Sequence, residues 1–99
     1  MTEITLHGWT VEIDPDNEFT TLVSTEIPFH DNDRNLHFFN AAAGTLPDAL
    51  RSLSDKLSAA AKVMIWLNDC EDQTYEKVHE FAAHLTQTAY ALESARLAV

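Results

Sequence analysis

The chain has 99 residues and a mass of 11.1 kDa, which leaves room for one domain, residues 1–99, and not for two cores. Its 16 acids against 6 bases give a formal charge of −10, which argues against a general nucleic-acid grip or an anionic-membrane surface, since both reward Lys and Arg. Cys70 is the one cysteine, so an internal disulfide framework and a multi-cysteine zinc site are excluded.

Ile4 and Leu6 alternate on one phase, and Trp9, Val11 and Ile13 on the other. The flip at His7-Gly8 predicts a bulge or bend inside one strand. Asp14-Pro15-Asp16-Asn17 carries turn chemistry: Pro presets the backbone, and Asp and Asn accept local hydrogen bonds. In the strand that follows, Phe19, Thr21, Val23, Thr25 and Ile27 face one way, and Thr20, Leu22, Ser24 and Glu26 the other, so the two strands form a hairpin. Pro28 ends that strand. Asp31-Asn32-Asp33-Arg34-Asn35 is a second polar turn, Leu36 to Asn40 a third strand, and Ala41-Ala42-Ala43-Gly44 a junction.

Thr45-Leu46-Pro47-Asp48 is a helix start, with Thr45 as N-cap and Asp48 at the third position, near the positive end of the helix dipole. Leu46, Leu50, Leu53, Leu57 and Ala61 then recur at helical spacing. Val63-Met64-Ile65-Trp66-Leu67 fits a continued helix or a short buried strand equally well. Asn68-Asp69 breaks the pattern, and Asp72 caps a last helix running to about Leu97. Its stripe, Tyr75, Val78, Ala82, Leu85, Ala89 and Leu92, is a heptad seam. The seam packs on the sheet or the first helix; the alternative use is a homodimer through Tyr75, Val78, Leu85 and Leu92. The expected fold is α+β: an antiparallel sheet of three to four strands against two helices, in the order β-β-β-α-(β)-α.

The chemistry-bearing residues do not assemble into a known catalytic or metal pattern. His79 and His84 stand at i and i+5, about 140° apart around a helix, and so do not share an ion. His30 and His37 flank Asp31 and Asp33 in what reads as a solvated loop. Cys70 lies among carboxylates that disfavour a thiolate. Neither Gly8 nor Gly44 belongs to a phosphate-cradling loop. The expectation is therefore no enzyme, no cofactor and no metal. The N-terminus is not a signal peptide, and the apolar runs are far shorter than the roughly 20 residues a membrane span needs. A soluble, cytoplasmic protein is expected.

The charge is uneven. Residues 1–50 hold nine acids and one base, a net −8, and residues 51–99 hold seven acids and five bases, a net −2. Clustered acid steers basic partners. Glu12, Asp14, Asp16, Glu18, Asp31 and Asp33 are the candidate contacts, with Phe29, Phe39 or Trp9 as an apolar anchor. Phe38 and Phe39 must point to opposite faces of their strand, and Phe81 and Tyr90 lie off the heptad seam, as exposed aromatics of a binding surface would.

The strand that runs from Trp9 into the Asp14-Pro15 turn, the further strands, and the run Gly44-Thr45-Leu46-Pro47-Asp48-Ala49-Leu50 opening a helix together resemble HicB-type antitoxins over residues 9–67. The resemblance implies a partial ribonuclease-H-like sheet and non-enzymatic binding of a protein partner. The chain departs from that pattern in residues 28–34, and a long helix stands where the family often has a DNA-binding domain. Small acidic phage inhibitors of host defence are similar in size, charge and architecture. The functional expectation is an inhibitor or antitoxin-like factor that occupies a basic surface of a protein partner without touching nucleic acid itself; if that partner binds nucleic acid, the acids stand in for phosphates. The alternative is a homodimeric accessory subunit assembled through the last helix.

Overall fold

The computed structural model describes residues 3–6, 8–17, 20–28, 37–68, 70 and 72–97; for residues 3, 15–17, 96 and 97 it describes the backbone. Four strands, β1 (Glu3–Leu6), β2 (Trp9–Asn17), β3 (Thr20–Ile27) and β4 (His37–Ala43), precede two helices, α1 (Leu46–Trp66) and α2 (Asp72–Leu97). The strands form one antiparallel sheet in the order β1-β2-β3-β4. This is the α+β class expected, with a fourth strand at the N-terminus and none between the helices.

The phase flip reflects a chain reversal between Leu6 and Trp9 and not a bend within one strand. Leu6 stands opposite Trp9, and Ile4 opposite Val11. Opposed residues share a face, so Ile4, Leu6, Trp9, Val11 and Ile13 all point to one side although their parity changes. Gly8 sits at φ +80°, a backbone region costly for residues with a Cβ. β2 also runs through the Asp14-Pro15-Asp16-Asn17 segment expected to turn. Its register against β3 shifts between Pro15 and Asn17, and such an irregularity tolerates a residue without an N–H. Ala41, Ala42 and Ala43, expected as a junction, complete β4 instead.

Alternation in β3 holds as expected: Val23, Thr25 and Ile27 are buried, while Glu26 is exposed. The inner face of the sheet, with Val11, Ile13, Val23, Ile27 and Ala41, packs against Ala49, Leu50, Leu53, Leu57 and Ala61 of α1 and Val78, Phe81, Ala82, Leu85 and Ala89 of α2. α1 lies over β3 and β4, and α2 packs along α1 and meets β1. The outer face carries no helix among the described residues.

α1 starts where its sequence says. Thr45 is extended at the N-cap, and its Oγ1 accepts the Asp48 backbone N–H at 3.4 Å. That contact is long, so Thr45→Ala should cost near the low end for such caps, about 0.5–1 kcal/mol, read from the thermal midpoint. Val63 to Trp66 continue α1, which settles that segment as helix. Leu67 caps it, and Asn68 follows at φ +64°, the left-handed position that Asn accepts at a helix end.

The helices are tied by polar contacts as well as leucines. Ser54 Oγ donates to the Ala82 carbonyl at 2.8 Å and lies 3.0 Å from Thr86 Oγ1. Arg51 holds both carboxylate oxygens of Glu93, one at 2.6 Å, and its guanidinium stacks 5.1 Å from the Tyr90 ring centre. The bond from Arg51 holds the Glu93 carboxyl below its ordinary pKa, and Glu93 holds Arg51 above its own.

Candidate partner-binding face

The pleat sorts the sheet into two chemistries. Side chains alternate faces along a strand and match across it, so the outer face is built in rows. Thr5 faces Thr10, with their hydroxyls 3.3 Å apart. Glu12, Ser24 and Asn40 form a second row, and Asp14, Leu22 and Ala42 a third. Glu26 stands opposite Phe38. Glu12, Asp14 and Glu26 are exposed, and Phe38 is 60% exposed. The four strands contain neither lysine nor arginine. Three carboxylates thus share a face with an aromatic ring and no base of its own strands.

This face is hollowed beside the β1–β2 reversal. A depression of about 460 Å³ is lined by Trp9, Thr10, Glu12, Ser24, Glu26 and Phe38, among others. Glu12 and Glu26 are diagonal neighbours across β2 and β3, a relation that sets backbones about 7–8 Å apart. A cation between them would relieve their mutual repulsion, and the Phe38 ring beside it offers a π face to the same charge.

Of the residues expected to meet a partner, Glu12 and Asp14 lie together on this face. Asp16 lies in β2, with its side chain outside the described residues; Glu18, Phe29, Asp31 and Asp33 also lie outside them. Phe39 is turned the other way: it is half-buried and packs against the core. Phe38 is the exposed member of the pair, so the anchor moves by one residue. Trp9 is divided between the core and the depression, meeting Phe81 edge to face at 5.8 Å and 81°. Phe81, expected to be exposed, is fully buried. It reaches the sheet because α2 buries a wider arc than one heptad seam.

The residues expected to serve a homodimer are divided. Val78 and Leu85 are fully buried in the chain's own core, which leaves them no surface for a second copy. Tyr75 is half-buried and meets His79 edge to face at 4.4 Å. Leu92, 39% exposed, is the outermost member of the seam. Glu26 and Phe38 are the two contributors that the sequence reading left out of the face. Glu26 could have been found from the β3 alternation, which already put it opposite the buried set.

Among the described residues, no three His, Cys, Asp or Glu side chains gather where they could hold a metal ion, and no helix is long and apolar enough to cross a membrane. Cys70 is buried in the core. No family model matches the chain, and comparison with curated proteins and with solved structures gives no match either.

Proposed function

We propose that this chain is a non-enzymatic binding protein, an inhibitor or antitoxin-like factor that covers a basic surface of a protein partner. The observation that carries this reading is the outer sheet face, which Glu12, Asp14 and Glu26 share with the exposed Phe38 in strands free of Lys and Arg. The carboxylates take Lys and Arg side chains of the partner, and Phe38 supplies an apolar contact beside Glu26. Where the partner is a nucleic-acid-binding enzyme of the kind phage anti-defence proteins block, the carboxylates occupy its phosphate sites. The electrostatic share of such binding lies mainly in the association rate.

The test begins with capture of the partner from the native host, followed by association kinetics. Raising salt from low to high should slow association about tenfold or more. Glu12→Gln combined with Glu26→Gln should slow it at low salt and flatten the salt dependence, while Phe38→Ala should speed dissociation. A captured partner whose association ignores both salt and the Gln variants would overturn the reading, and so would direct capture of nucleic acid.

A further inference from the structure

Ser24 is a small side chain on the outer face of the sheet, and larger ones stand around it. Glu12 is its partner across β2, and Glu26 lies two residues further along β3 on the same face. Phe38, opposite Glu26 on β4, is its diagonal neighbour. All four line the depression of about 460 Å³, together with Thr10. Among the described residues, the ion pairs join Arg51 to Asp48 and to Glu93, and none takes up Glu12 or Glu26.

We infer that this hollow seats one arginine side chain of the protein partner, with its guanidinium over Ser24, between Glu12 and Glu26 and beside the Phe38 ring. The inference rests on the reading of this face as the partner's docking surface, and adds which cation the face selects. The chain itself shows a guanidinium held by such a set. Arg51 is bonded by the carboxylates of Glu93 and Asp48 and stacks 5.1 Å from the Tyr90 ring centre. Two carboxylates and an aromatic ring recur on the outer face without a base.

Three properties favour arginine there over lysine. A guanidinium bonded on two edges at about 2.7–2.9 Å holds its carboxylate carbons roughly 7 Å apart, close to the diagonal spacing of about 7–8 Å between residues placed as Glu12 and Glu26 are. An ammonium is a compact point charge and draws the two acids closer against their own repulsion. The planar guanidinium also stacks on an aromatic face, which Phe38 offers. It is more weakly hydrated, so it loses less on entering a hollow walled in part by Trp9, Pro28 and Phe38.

Blocked Gly-Arg-Gly, Gly-Lys-Gly and Gly-citrulline-Gly tripeptides, titrated into the full chain and followed by its backbone amide resonances, test this. The arginine peptide should shift Thr10, Glu12, Ser24, Glu26 and Phe38, and bind about fivefold more tightly than the lysine peptide. The neutral citrulline peptide should leave these resonances in place. Glu12→Gln and Glu26→Gln should each weaken the arginine peptide about fivefold, and Phe38→Leu should narrow its lead over lysine. Asp14→Asn removes an equal charge one row away and should change binding by less than about twofold. Circular dichroism shows that each variant is folded. Equal binding of the arginine and lysine peptides, or shifts spread evenly over the acidic surface, would overturn the inference and leave the reading of the face intact. A captured partner that ignores Glu12→Gln and Glu26→Gln would overturn that reading itself.

Discussion

Phe81→Ala should destabilise the fold by about 3–5 kcal/mol, the range for emptying a fully buried aromatic site. Phe81 is fully buried and is the α2 ring that meets Trp9 of β2 edge to face. Its removal takes away the apolar transfer energy, leaves a cavity and ends the ring contact. Domains of this size hold about 5–15 kcal/mol in total, and each kcal/mol moves the thermal midpoint by about 4–8 °C. A fall of roughly 20 °C is therefore expected, with the urea midpoint moving in parallel at nearly unchanged slope. Phe38→Ala, on the open face, should shift the same midpoints by less than about 1 kcal/mol. Equal shifts for the two variants would contradict the placement of these rings.

The second large effect separates two leucines of one stripe. Leu85→Asp places a carboxylate at a fully buried position among apolar side chains, where an unpaired charge costs several kcal/mol and takes much or all of the available stability. Leu92→Asp changes a position already 39% exposed and should stay within about 1 kcal/mol. A heptad seam used by a second copy would treat the two alike, because both residues occupy its core positions. Far-UV circular dichroism and denaturant titration at fixed low protein concentration distinguish the outcomes: loss of cooperative unfolding for Leu85→Asp, and a near-native transition for Leu92→Asp.

Local chemistry was the legible part of this chain. Thr45, Pro47 and Asp48 sit at the first turn of α1 as their capping chemistry requires, and Leu50, Leu53, Leu57 and Ala61 bury the face their spacing defines. β3 alternates as its Thr and Val pattern implies. Features that depend on pairing were not legible. A two-residue reversal and a bulge both flip apolar parity, so residues 7–8 alone could not distinguish them. Pro15 carries turn chemistry, yet the strand absorbs it at a register shift. Which of Phe38 and Phe39 faces solvent follows from the β3–β4 register, where Glu26 meets Phe38 and Thr25 meets Phe39. Ser54 falls within the arc that Leu50, Leu57 and Ala61 define, but the group that satisfies its hydroxyl there, the Ala82 carbonyl, belongs to the other helix. The acids of the candidate face were visible in composition, whereas their sharing one face with Phe38 required three strands in register.

The sheet order β1-β2-β3-β4 pairs each strand with its neighbour in the chain, β4 passes directly into α1, and α1 lies against α2. Native contacts are thus mostly between consecutive elements, a low-contact-order arrangement in which the chain closes small loops one after another and folds quickly. The exceptions are α1 over β3 and, farther apart in the chain, the seam where α2 returns to the first hairpin, with Phe81 against Trp9 and α2 beside β1. Among the described contacts between elements, that last seam closes the longest loop and has the most loop-closure entropy to overcome. It is therefore a late event in assembly, and weakening it should mainly hasten unfolding while leaving the folding rate nearly as it was.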